Sequence, residues 1–225
     1  MAAPELPPLG LRIRQERAKR GISLRSLARD VGISASMISQ IETAKSQPSV
    51  STLYAITSAL GISIEDVFRQ SADDPPSVAQ PPSVDERPSA DEPQEPPGIA
   101  AAVTRAGVPR LGPLVRPEQR KVLRLDSGVT WEQLGELPEQ HVDFLRVTYA
   151  PGGTSSSTGE LMRHSGSEYG YLLHGELVFT LAFQEVRLAA GDAISFDSTT
   201  PHGYRNDGAE PAVGVWFVME RCLPE

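Results

Sequence analysis

Side chains with chemistry to offer are spread unevenly along the 225 residues. The first 70 residues hold nine Lys/Arg against six Asp/Glu, although the whole chain carries a formal net charge of -8. Arg14, Arg17, Lys19, Arg20, Arg25, Arg29 and Lys45 all fall in this basic segment. Clustered cations suit a phosphate-bearing partner such as double-stranded DNA, so the overall acidity is a poor guide. Residues 99–225 carry net -5 and all four histidines, His141, His164, His174 and His202. Cys222 is the sole cysteine, so no disulfide can form within the chain. Met1–Gly10 has neither a basic start nor a sustained apolar run, and the apolar stretch Val213–Met219 is far short of the ~20 residues a membrane helix needs. A cytoplasmic location is expected.

The basic residues need a frame. Ser23 is a candidate N-cap, and Leu27 and Val31, four apart, share one helical face. Ala28 is small, and Gly32 ends the helix where a left-handed turn is cheap. Ser34 caps a second helix that turns Ile38 and Ile41 inward. Two short helices crossing steeply need a small residue at the contact and a glycine in the turn, and Ala28 and Gly32 supply both. Leu11–Lys19 precedes this pair. Ser49 with Thr52–Leu60, closed by Gly61, follows it, and a short helix near Ile64–Phe68 ends the set.

The run SLRSLARDVGISASMISQIETAKSQPSVSTLYAITSALGIS, set in residues 9–69, resembles the XRE, or lambda-repressor-like, helix-turn-helix family. The resemblance implies an all-α, five-helix DNA-binding domain whose second helix of the pair enters the major groove. The side chains matching its reading face are Ser34, Ala35, Ser36, Ser39, Gln40 and Thr43. Gln40 is the best candidate for base readout, because a carboxamide donates and accepts together at adenine. Arg25 and Lys45, with the other cations, would hold phosphates and fix register. Related sequences often carry a polar residue where this chain has Leu24 and an arginine where it has Thr43. Losing those two contacts leaves a site that is either weak or dependent on dimerisation.

Residues 71–98 contain eight prolines and no aromatic residue. Such a segment has nothing apolar to bury, and residues 70–98 are expected to form a disordered, extended linker. Beyond it, in residues 99–225, short strands alternate with turns: Asp143–Ala150, Glu168–Leu173, Glu176–Leu181, Ala193–Phe196 and Ala212–Met219. His174-Gly175 has the composition of a two-residue hairpin turn. The overall class is α + β multidomain, with the strands closing a sandwich or barrel.

Two motifs in residues 141–220 resemble the cupin superfamily. One is His164-Ser165-Gly166-Ser167-Glu168 running on to Glu176. The other is Gly191-Asp192-Ala193-Ile194-Ser195-Phe196 with Pro201-His202 and Asn206. The resemblance implies an all-β jelly-roll (double-stranded β-helix) barrel. Metal-binding cupins draw their ligands from these motifs, and here His164, Glu168 and His202 remain, with Met162 in place of a further histidine. Two imidazoles and a carboxylate suit a divalent metal, Fe, Zn or Mn. The same residues could instead hydrogen-bond one another inside the barrel without a metal. His174 is expected to face solvent, as are Arg146 and Arg163. Tyr149, Met162, Tyr171, Phe179, Phe196 and Trp216 are the candidates to line an effector pocket.

This organisation implies a sequence-specific, DNA-binding transcriptional regulator, not an enzyme, whose barrel senses a small-molecule effector or mediates dimerisation as a homodimer. Control would pass either through the dimer's effective concentration on DNA or through direct barrel-to-helix contacts. A second reading is a non-haem iron oxygenase resembling hydroxypropylphosphonate epoxidase, which has a helical domain, a cupin barrel and the same His, Glu, His order. The long linker argues against a site shared between the two domains.

Overall fold

The computed structural model describes residues 9–68, 114–135 and 142–219. The expected linker, residues 70–98, lies outside them, as do His141 and Cys222.

Five helices form the N-terminal domain: α1 (Leu9–Lys19), α2 (Leu24–Val31), α3 (Ala35–Glu42), α4 (Val50–Leu60) and α5 (Ile64–Phe68). Their limits follow local chemistry. Ser23, Ser34 and Ser49 each take extended backbone, and their side chains accept hydrogen bonds from the amides of Ser26, Met37 and Thr52. Each cap satisfies a donor that has no partner inside the helix. Gly32, at φ +80°, closes α2 with its N–H on the carbonyls of Ala28 and Arg29. Ile13, Leu27, Ile38, Leu53 and Ile56 fill the centre of the bundle. Gly10 lets α1 touch α3: a Cβ there would stand 1.9 Å from the Ile41 carbonyl oxygen.

The C-terminal domain is built from antiparallel strands. They are β1 (Val122–Leu125), β2 (Val129–Gly135), β3 (Val142–Tyr149), β4 (Ser167–His174), β5 (Glu176–Leu181), β6 (Gln184–Ala189), β7 (Ala193–Asp197), β8 (His202–Arg205) and β9 (Ala212–Met219). One sheet runs β1-β2-β3-β9-β4-β7 and a second runs β6-β5-β8. Alternation sets the faces. On β3, Asp143, Leu145, Val147 and Tyr149 point inward; on β9, Ala212, Gly214, Trp216 and Val218 do. Leu145 stands opposite Trp216, which stands opposite Gly170 on β4.

The expected hairpin at His174-Gly175 is not formed. β4 pairs with β7 and β9, whereas β5 pairs with β6 and β8. Gly175 is therefore the point where the chain leaves one sheet for the other. His174 is exposed there, with Nδ1 3.2 Å from the Pro211 carbonyl oxygen.

Helices and barrel belong to one compact unit, and their buried side chains form one continuous hydrophobic cluster. The contact lies at the start of α4 and along α5, which packs on β3. The Ser51 amide donates to the Ser155 carbonyl at 2.9 Å, and the Asp126 amide donates to the Pro48 carbonyl at 2.9 Å. No helix among the described residues is long and apolar enough to cross a membrane.

Candidate functional site

Two regions have the geometry to act on another molecule: the outer face of α3 and the interior of the barrel. On α3, Ile38 and Ile41 point into the bundle, and the opposite face is left to solvent. Ser34, Ser36, Gln40 and Thr43 are exposed, and Ala35 and Ser39 are half-buried. Thr43 turns its hydroxyl back onto the Ser39 carbonyl at 2.8 Å. Arg25 at the start of α2 and Lys45 just after α3 are both exposed.

Arg17 departs from the sequence expectation. Its Nε and Nη2 donate to the two carboxylate oxygens of Glu42 at 2.6 and 2.9 Å, and its Nη1 donates to the Ile22 carbonyl. The pair is largely buried. Arg17 therefore pins α1 to the end of α3 and is spent on the fold instead of on phosphate. Lys19 and Arg20 are drawn to Glu16, at 3.0 and 2.5 Å. Arg14 stays exposed.

Inside the barrel three elements bring His164, Glu168 and His202 together, with one ligand atom from each lying within 4.8 Å of the others. Glu168 sits on an inward position of β4, His202 begins β8, and His164 comes from the loop before β4. His164 Nε2 lies 2.7 Å from Glu168 Oε1. His202 Nε2 lies 3.0 Å from the same oxygen, but its direction is wrong for a hydrogen bond, and this buried nitrogen has no such partner among the described residues. His202 Nδ1 is 2.8 Å from the Thr200 carbonyl oxygen, so Nδ1 carries a proton and Nε2 is the ring atom that faces inward. A ligating histidine commonly donates its far N–H to a carbonyl in this way. The second Glu168 oxygen accepts from the Tyr204 hydroxyl at 2.8 Å, which in turn accepts from Trp216 Nε1 at 3.3 Å.

Burial works to raise the Glu168 pKa, but the hydrogen bond from His164 outweighs it and holds the carboxyl well below its ordinary range. Burial and the nearby Glu168 charge push the Tyr149 and Tyr204 hydroxyls above theirs. A carboxylate and two inward imidazole nitrogens on one point form a donor set that fits a divalent cation. The unpartnered His202 nitrogen is the observation that favours it.

Beside Glu168 lies a small cavity of about 20 Å³. Of the six side chains named as pocket candidates, Tyr149, Met162 and Trp216 line it. Phe179 and Phe196 do not. Their rings meet at a tilt, with centroids 5.1 Å apart, and Phe179 stacks on Tyr204 while Phe196 meets His202 edge to face. Tyr171 is on the opposite side of the sheet, 47% exposed, because Glu168, Gly170 and Leu172 take the inward positions of β4. Arg146 is occupied on the outer face by Glu132, and Arg163 is exposed.

Sequence reasoning missed the roof of this cavity. Val50 and Tyr54, both on α4, line it. The Tyr54 ring stacks flat on His164, with centroids 4.1 Å apart and planes within 4°. Its edge meets Trp131 at 5.9 Å. The argument that the linker separates the two domains' sites does not hold, because α4 docks on the barrel directly. No sequence signal marks Tyr54, since it lies among helix positions that read as ordinary bundle core. Trp131 and Tyr204 lie on β2 and β8, two strands the sequence pattern did not identify.

Comparison with known proteins agrees with this division. A helix-turn-helix family model matches residues 13–67, and a cupin domain model matches residues 145–218. The HTH-type transcriptional regulator PuuR of Escherichia coli (strain K12) is 28% identical over 201 residues, covering 89% of this chain and 88% of its own. PuuR of Shigella flexneri matches equally. An HTH_3 family transcriptional regulator from Vibrio cholerae has the same fold, with TM-score 0.60 at 22% identity over 96% of both chains. Hydroxypropylphosphonic acid epoxidase from S. wedmorenis overlays at TM-score 0.40 and 16% identity over 94% of this chain and 97% of its own, too low to argue from. Helices, barrel and both matches together give this chain an XRE-type helix-turn-helix domain at its N-terminal side and a cupin domain at its C-terminal side.

Proposed function

We propose that this chain is a sequence-specific DNA-binding transcriptional regulator whose barrel receives a small-molecule effector. The observation that carries the reading is the outer face of α3. Its inner face is tied into the bundle by Ile38, Ile41 and the Glu42–Arg17 pair, while Ser34, Ser36, Gln40 and Thr43 are left exposed. A rigid helix with a short-chained polar face fits the major groove. Gln40 reads a base, Ser34, Ala35, Ser36, Ser39 and Thr43 shape the contact, and Arg25 and Lys45 hold phosphates.

The regulator works as a homodimer in this reading. What supports it is the outer face of the large sheet, where Tyr169, Tyr171, Phe217 and Met219 are exposed side by side on β4 and β9. An apolar patch of that kind is uncommon on a monomer. A two-fold pair would carry two copies of α3 to half-sites about 34 Å apart along DNA. His164, Glu168 and His202 would hold a divalent metal, Fe, Zn or Mn, whose open coordination positions would bind an oxygen or nitrogen donor of the effector. Tyr204 donates to the far oxygen of Glu168 and so fixes the carboxylate with its other oxygen toward His164 and His202. No catalytic residue is assigned.

The test is selection of duplexes from a random-sequence pool by the full-length chain. Enrichment of a two-fold symmetric motif, with half-sites one helical turn apart, is expected. A pool that stays random after repeated rounds would overturn the proposal.

A further inference from the structure

The barrel is closed by a side chain of the DNA-binding domain, and this closure has a consequence for anything that binds inside. With α4 seated, the cavity beside Glu168 measures about 20 Å³. That is room for roughly one water, whereas pockets for organic ligands run to about 300–1,000 Å³. Val50 and Tyr54 reach into this space from α4. Tyr54 is 4% exposed and covers His164 ring on ring, so it stands over the polar triad where an organic ligand would place its polar end.

We propose that Tyr54 is a stopper: a single metal ion or water fits the closed barrel, but an organic ligand enters only by expelling Tyr54 and the start of α4. This rests on the reading of the barrel as an effector pocket and supplies its mechanism. Expulsion breaks the contacts that fix the helical domain to the barrel. They are the Tyr54 stack on His164, the Ser51–Ser155 hydrogen bond and the Asp126–Pro48 hydrogen bond. α4 also packs on α2 of the helix-turn-helix pair, so the helices move as a body when it leaves. Occupied and closed barrels then hold the DNA-binding domain differently, which is the differential affinity a switch requires. The ligand class is an organic molecule with an apolar body, matched to Leu145, Val147 and Val218, and a polar end that meets Glu168.

The test uses the full chain and a neutral fluorescent apolar probe, N-phenyl-1-naphthylamine, whose N–H can donate to Glu168. Uptake is titrated in the native protein, Tyr54→Ala and Tyr54→Phe, and amide exchange at Ser51 and Asp126 is followed with and without the dye. Removing the stopper removes the cost of opening, so Tyr54→Ala should bind the dye about tenfold more tightly, while Tyr54→Phe keeps the stack and behaves as native. In the native chain, saturating dye should speed exchange of the Ser51 and Asp126 amides. Dye held on the outer face of the large sheet, at Tyr169 and Phe217, contributes equally to every variant, so the difference between variants carries the signal. Equal uptake by native and Tyr54→Ala protein, with both amides still protected, overturns the stopper and leaves the pocket standing. No dye-dependent change in any variant overturns the pocket along with it.

Discussion

Replacing Gly10 by alanine sets two opposing effects against each other. In an exposed helix interior, alanine is favoured over glycine by about 1 kcal/mol. Here the new methyl would stand 1.9 Å from the Ile41 carbonyl oxygen and 2.9 Å from the Glu42 carbonyl carbon. A carbon and a carbonyl oxygen settle at roughly 3.3 Å or more, so α1 and α3 must part by over ~1 Å. Neither obstacle is a side chain that could swing aside. Overpacking of this kind costs about 1–3 kcal/mol, and the backbone nature of the clash puts Gly10→Ala at the upper end. If the first turn of α1 unwinds instead, the burial of Leu9 is lost at similar cost. A net destabilisation of about 2 kcal/mol is expected, as a lower urea midpoint in far-ultraviolet circular dichroism. Ile41 lies on α3, so affinity for the selected DNA should fall as well. A midpoint equal to or above that of the native protein would refute the reasoning, because it would mean the two helices do not meet at Gly10.

Three further outcomes are expected. Gln40→Ala should cost about 1–3 kcal/mol on the selected duplex and relax preference at one base position per half-site, checked by repeating the selection. His164→Ala should abolish stoichiometric Zn(II) uptake measured by elemental analysis, while Arg163→Ala, one residue away and exposed, should retain it. Burial raises the Glu16 pKa, but hydrogen bonds from Lys19 and Arg20 outweigh that and leave it below its ordinary value. A carboxyl depressed in the folded state stabilises fully above its unfolded pKa, and that contribution is lost as pH falls through the folded value. Melting temperature should therefore drop on acidification below the ordinary carboxylate range, and Glu16→Gln should flatten this dependence.

The helical domain was legible because its boundaries are written in local chemistry. Ser23, Ser34, Gly32 and Gly61 each act within one turn of chain, and periodicity marks Leu27, Ile38 and Ile41 as core. The triad was legible through motif resemblance, since His164 and Glu168 are close in sequence. The rest depends on non-local pairing. Tyr171 has the composition of a pocket residue, yet one position of register puts it outside. His174-Gly175 has the composition of a hairpin, yet its two strands pair in different sheets. Arg17 reads as a phosphate ligand until folding brings Glu42, 25 residues away, onto its guanidinium. Tyr54 gave no signal because the surface it meets comes from residues more than 70 positions on.

The central claim is that α3 presents a DNA-reading face, and an anisotropy titration of the full chain on its selected duplex and on a shuffled one, over a range of salt, tests it most directly. The logarithm of affinity should fall linearly with the logarithm of salt concentration on both duplexes, with the selected one bound about 10³-fold or more tightly. Equal affinity for the two sequences, or affinity that salt does not change, would contradict it.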